Sequence, residues 1–533
     1  MVANPNPNRY RLAVACGIGL LVGGMGFAQD ASAPTTARGE PMSAINWLSD
    51  SIATPSVAPP GKIIQGDVAT SAAVAAVTVS AIGATATDAV GLLPSHITGF
   101  PRTLWGASRA DDLARRILTL PIDLMPAMQQ LLTRLLLAEL DPPQGSATGS
   151  DRLFLARVDR LLGTGALDQA DALLARAGTR TPNSFRRSFD TALLLGEEDF
   201  PCDRLSAAPE LSPTFQARVF CLARQGDWDA AVLSLGTGRA LGYLTEAEDA
   251  LLSRFLDPDL FEDEPPLPQP SHPSPLTFRL YEAIGQHIST PGLPLAFAQA
   301  DLRANIGWKA RAEAGERLAR VGAISDNQIY GLYTERKPAA SGGIWDRMAA
   351  VRALDAALVE KDTDTIAALL PDLWQRLEHA GLEMPFSRIF GPDLARLSLP
   401  EDAAWVALRM GLLSDRAEEV AQGAIRSDTR AHPHRDILLA IARGETDKVV
   451  PVDAKTEAVL QGFAATELPV RLSSLVEGDR LGEAILRAIA LFTGGALGDL
   501  DELTDALALF RLVGLEQVAR QAALEFLILD RRG

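Results

Sequence analysis

Cys202 and Cys221 stand nineteen residues apart, and the only other cysteine, Cys16, lies near the N-terminus. Two thiols at that spacing suit a disulfide closing one short loop; two buried free thiols are the alternative. Neither has a further Cys or His nearby in sequence, as a metal site would require. There is no Cys-x-x-Cys and no evident thiolate-stabilising charge, so the pair reads as structural rather than redox-active. The closest histidines are His432 and His434 in "AHPHRD", with Asp436 beside them. A surface turn before the helix-like "RDILLAIARG" is the simpler reading, and a weak metal site the other. The acid clusters "GEEDF", "FEDEPP" and "LSLPEDAAW" read as solvated loops and helix starts, since a general acid needs a partly buried pocket. Trp105, Trp228, Trp308, Trp345, Trp374 and Trp405 suit either packing or a sugar-binding groove; Trp228 and Trp374 fall at helical core spacing. Nucleophile-elbow, zincin and phosphate-loop signatures are missing. No catalytic, cofactor-binding or metal-ligating residue is therefore expected, and no cofactor.

The elements that carry these residues read as helices. The hydrophobic fraction is 47% and the aromatic fraction only 6%. The bulk is Ala and Leu, which favours helices over sheets. Leu155, Val158, Leu161 and Leu162 form one helical stripe, and Leu167, Ala170, Leu173 and Leu174 form another. Gly163-Thr164-Gly165 is the turn between them, making a helical hairpin. Met348, Val351, Leu354 and Leu358, and then Ile366, Leu369, Leu370, Leu373, Trp374 and Leu377, repeat the pattern downstream. Ser108-x-x-Asp111 reads as a capping-box helix start. Ser212-Pro213 reads as an N-cap followed by Pro at the first helical position. Cys221 then falls on a helix, whereas Cys202, between Pro201 and Pro209, falls in an irregular segment. The disulfide would staple this poor hairpin to its neighbour and stabilise it by about 3 kcal/mol.

A glycine that ends one helix, followed five residues later by a small residue on the next helix, recurs at Gly165/Ala170, Gly226/Ala231 and Gly514/Ala519. Gly196 lies between the first two pairs, giving a period of about 30 residues. These hairpins resemble tetratricopeptide repeats in a degenerate form. The family's Trp-Leu-Gly and Tyr positions are mostly missing, and Pro201 follows Gly196 where Ala is expected. The resemblance implies an all-α fold of helical hairpins stacked as an α-solenoid. "LDPDLFEDEPPLPQPSHPSP" divides it into two halves, 105–255 and 276–533, with 256–275 as a Pro-rich acidic linker.

The N-terminal residues read differently. Arg9 and Arg11 precede an apolar run ending in Gly26-Phe27-Ala28, the pattern of a secretory signal cleaved near Ala28, so 1–28 is expected to leave with Cys16. The alternative is an uncleaved anchor. Residues 29–104 read as an irregular arm ending in an ordered strap near 90–104. Within the arm, Ile45, Trp47, Leu48 and Ile52 form a hydrophobic island, a candidate docking motif or a turn folded back on its own domain. The net charge of −17 argues against nucleic acid, whose phosphates want a basic face. No membrane span is expected after signal cleavage. Export, acidity and stacked hairpins imply a periplasmic or secreted, non-enzymatic scaffold of a bacterial envelope complex, with unidentified envelope proteins as partners. The runner-up is a protein that binds or hydrolyses peptidoglycan beside a solenoid domain, although no Glu-Ser type catalytic signature is present.

Overall fold

The computed structural model describes residues 86–144, 146, 150–424 and 432–529. The expected signal segment and the island at Ile45, Trp47, Leu48 and Ile52 lie outside the described residues. The described chain is all-helical. It contains no strand, only an isolated parallel bridge between Leu93 and Ala138. Its longer helices are α1 (Ala110–Thr119), α2 (Pro126–Leu137), α3 (Arg152–Gly163), α4 (Leu167–Ala177), α5 (Pro182–Leu195), α6 (Asp199–Ala207), α7 (Phe215–Arg224), α8 (Trp228–Leu241), α9 (Glu246–Leu256) and α10 (Pro275–Ala283). After a 3-10 stretch at Leu295–Leu302 come α11 (Trp308–Arg320), α12 (Asp326–Thr334), α13 (Ile344–Glu360), α14 (Thr363–Ala380), α15 (Glu383–Leu394), α16 (Glu401–Leu412) and α17 (Ala417–Ala424). The last are α18 (Arg435–Arg443), α19 (Ala454–Ala464), α20 (Val470–Glu477), α21 (Leu481–Ala496), α22 (Leu500–Leu512) and α23 (Glu516–Ile528). Among the described residues, no helix is long and apolar enough to cross a membrane.

Successive helices pair as hairpins because each carries one apolar stripe. In α3, Leu153, Phe154 and Val158 are fully buried; in α4, Leu167, Ala170, Leu173 and Leu174 are too. The turn between them needs a glycine twice over. Gly165 has φ +76°, and a Cβ there would stand 2.7 Å from Leu318. Gly226 and Gly514 adopt the same left-handed backbone at equivalent turns. The alanine five residues on, Ala170, Ala231 or Ala519, is fully buried each time, as a small residue at a helix-helix contact is.

Three local expectations need correction. Cys202 lies on helix α6, not in an irregular segment. Pro201 is tolerated because it is the third residue of α6, where a backbone N–H has no intrahelical partner to lose. α7 starts at Phe215, capped by Thr214, whose hydroxyl accepts from the Ala217 N–H at 3.1 Å, so Ser212 is not the cap. The Ser108 side chain does not cap α1 either; Arg109 occupies the N-cap and Ser108 is buried with its hydroxyl unpartnered.

The strap before α1 is ordered and bound to the body. Its Leu92 and Leu93 N–H groups donate to the Leu137 carbonyl at 2.8 and 3.0 Å. Arg157, fully buried on α3, donates to the carbonyls of Leu136, Ala138, Asp88 and Val90. Burial pushes its guanidinium down to about 10, with the neighbouring Asp88 charge opposing. The Pro-rich acidic segment is pinned at its middle from both flanking helices: Arg254 donates to the Pro265 carbonyl at 2.9 Å, and the Tyr281 hydroxyl to that of Pro268 at 2.5 Å. The flanking helices α9 and α10 pack on each other.

One buried apolar cluster runs from Phe100 to Leu529. The hairpins also touch far along the chain. α2 packs on α21 and α23, and α1 packs on α21. The Ala127 N–H donates to Glu525 at 2.7 Å, the Gly482 N–H to the Leu104 carbonyl at 2.9 Å, and Arg116 to Glu483 at 2.9 Å. The first described hairpins thus rest on the last ones.

Candidate interaction sites

Cys202 and Cys221 form a disulfide, with Cα atoms 5.0 Å apart, between α6 and α7. Both are buried, which suits a structural tie. Beside it runs a chain of alternating charges that sequence reading took for solvated loop. Glu198, from "GEEDF", is almost fully buried; Arg279 donates to it at 2.9 Å, and Arg224 lies at 3.5 Å. Arg279 also pairs with Glu282 at 2.6 Å, and Arg303 pairs with Glu282 at 2.8 Å. Burial alone would raise the Glu282 carboxyl, but the hydrogen bonds and charges of Arg279 and Arg303 hold it below the ordinary range. A second buried group joins Glu316 to Arg347 at 2.7 Å and to the Tyr333 hydroxyl at 2.5 Å. These carboxylates are committed to guanidinium partners, so they act as frame rather than as proton donors.

The histidines converge on other partners than Asp436. His434 Nε2 lies 2.8 Å from Asp453, the N-cap of α19, while Asp436 stands exposed beside Arg435. Burial alone would raise the Asp453 carboxyl, but the Thr456 N–H and His434 hold it down at about 2. The His432 ring stacks on Trp405 at 4.0 Å. The Arg409 guanidinium lies 4.5 Å from the Trp374 ring and 5.8 Å from that of Trp405. Among the described residues, no group of three or more His, Cys, Asp or Glu is placed to hold a metal. The other described tryptophans make their contacts elsewhere. Trp308 meets Trp345 at 5.1 Å, and Trp105 is buried against Gly482. Trp228, read as a core residue, is the first residue of α8 and is 47% exposed.

A groove of about 700 Å³ opens between the end of α15, the 395–399 turn, α16 and α17. Leu394, Leu397, Leu399, Leu408 and Val420 contribute its apolar surface, and Arg396, Arg416 and Glu419 its polar rim. Arg396 and Arg416 both donate to Glu419, at 2.8 and 2.6 Å, and hold its carboxyl below the usual range. No family, no curated protein and no solved structure matches the chain. The groove was not found by reading the sequence. Its only trace there is Leu394, Leu397 and Leu399 in "LARLSLPED", which lack a clean helical spacing. A smaller groove of about 310 Å³ lies between α1 and α21, lined by Leu120, Pro121, Leu486 and Ala490 with Arg116 and Arg487.

Proposed function

We propose that the chain is a non-enzymatic scaffold of a bacterial envelope complex, exported by its N-terminal segment and binding segments of other envelope proteins. The observation that carries this reading is the groove between α15, α16 and α17. It offers leucine and valine side chains inside and a charged rim outside, the arrangement that takes an apolar peptide segment and fixes its orientation. One observation favours the second reading, a peptidoglycan-binding protein: the exposed His432 ring, stacked on part-buried Trp405 at 4.0 Å with Arg409 nearby, leaves an outer aromatic face on which a sugar can stack.

The test is in-cell crosslinking of the tagged protein, run beside Leu397→Glu, which places a charge in the groove at a part-exposed position on the edge of the core. The scaffold reading expects one dominant envelope protein, with its yield falling about tenfold in Leu397→Glu at unchanged thermal stability. A partner captured equally by both forms would remove the groove from the reading. Co-sedimentation with purified sacculi, lost on Trp405→Ala and not on Leu397→Glu, would replace it with the wall-binding one.

A further inference from the structure

α8 is apolar on both sides, yet only one side is covered. Ala231, Leu235 and Gly238 face the body, packed against α7 and α9. Away from the body Val232 is 57% exposed, Leu233 74% and Leu241 59%; Trp228 and Tyr243, each 47% exposed, border them and lean on Phe255 and Phe215 at 6.3 and 5.8 Å. Gly236, between Val232 and Ala240, has open space where a side chain would stand. The helix carries only two charges, Asp229 and Arg239, and Arg239 is held by Asp249 at 2.8 Å. The other exposed large apolar residues, such as Ile97, Val359, Val450 and Val470, are scattered along the chain. A surface helix normally turns charge to water on its outer face. An exposed apolar cluster of this size, interrupted only by Asp229 and Thr237, marks something that covers it.

We propose that the outer face of α8 is the docking site for the chain's own Met42–Ile52 segment. Ile45, Leu48 and Ile52 fall at i, i+3 and i+7, the anchor spacing with which a helical segment fills an apolar surface. That segment has one charge, Asp50. The reach is sufficient. The described chain begins at Ala86, next to α3, and α8 is five helices further along the array, about 50 Å at ordinary interhelical spacing. Residues 53–85 extend to roughly 110 Å. The area also selects this occupant. Five side chains at these exposures offer roughly 500–600 Å², below the roughly 800 Å² per partner of a stable association between separate chains. A tethered segment needs less, because its effective concentration is on the order of millimolar. Nothing in this depends on the groove at α16.

The experiment uses the full chain with p-benzoylphenylalanine in place of Leu233, which is exposed and does not enter the core. Photolysis of dilute protein, followed by peptide mapping, is expected to give an intramolecular adduct with the peptide containing 42–52. Leu48→Asp should cut its yield about tenfold, while Val68→Asp, elsewhere in the same arm, should not change it. Both arm substitutions fall outside the described residues, and an unchanged thermal transition checks that the fold is intact. An adduct joining two chains would assign the face to a second copy and overturn the proposal. So would an adduct confined to any other peptide, no adduct, or a yield indifferent to Leu48→Asp.

Discussion

Asp190 on α5 is buried, with one carboxylate oxygen lacking any hydrogen bond and Arg186 no closer than 3.9 Å. Burial pushes its carboxyl up to about 7, against the opposing charges of Arg186 and Arg187. A raised carboxyl favours the folded state most where it is protonated. The contribution is full below about pH 4, the unfolded value, and is lost as pH rises through about 7. Between those limits this one group makes stability fall by up to about 1.4 kcal/mol per pH unit. Asp190→Asn should therefore flatten that fall, and urea melts across the same range read it directly. Arg157 makes the opposite case. It is a buried cation held by four carbonyls rather than by a carboxylate. Arg157→Leu leaves those carbonyls unpaired and should cost at least about 3 kcal/mol. The loss should show first as faster amide exchange in the strap at residues 86–94. Neither residue stands out in the sequence, because burial of a charge depends on what packs over it.

At the scale of elements, the hairpins were legible because a stripe such as Leu167, Ala170, Leu173 and Leu174 buries only if the segment is helical. Glycine turns were legible for the same local reason. Helix starts were less so. Thr214 rather than Ser212 caps α7, since either hydroxyl can serve and the packing of Phe220 and Cys221 sets the register. The disulfide now joins two true helices, and it closes a loop of 19 residues' separation. Replacing both cysteines by alanine should lower stability by about 3 kcal/mol. The change should be concentrated in α6 and α7 by hydrogen exchange, with the C-terminal hairpins unaffected. Equal loss of protection throughout would show that the bond supports the whole array rather than this hairpin.

Across the molecule, hairpins far apart in sequence are joined. In a simple linear array each repeat touches only its neighbours, and the ends fray independently. Here the Leu104–Trp105 turn lies on Gly482, and Glu483, with no exposed surface, takes hydrogen bonds from Arg116 and Arg480. A Cβ at residue 482 would stand 2.4 Å from the Trp105 ring. Gly482→Ala should cost about 1–3 kcal/mol through overpacking. It should raise exchange in α1, α2 and α21 together, although α1 and α2 lie more than three hundred residues from α21. Exchange raised in α21 alone would mean that the two ends are stable separately.

The sequence by itself determined what depends on neighbours in the chain. Those are the helices, their glycine turns, the small residue each turn requires five positions on, and the two cysteines left to pair. Tertiary structure decided what depends on approach from elsewhere. It buried Glu198 and Glu316 among arginines, turned His434 to Asp453 and away from Asp436, and opened the groove beside Leu397. It also left the apolar side of α8 facing out. Periodicity tells which residues of a helix share a face. It does not tell how many faces will be covered, because that is set by the curvature of the stack and by which distant helix arrives.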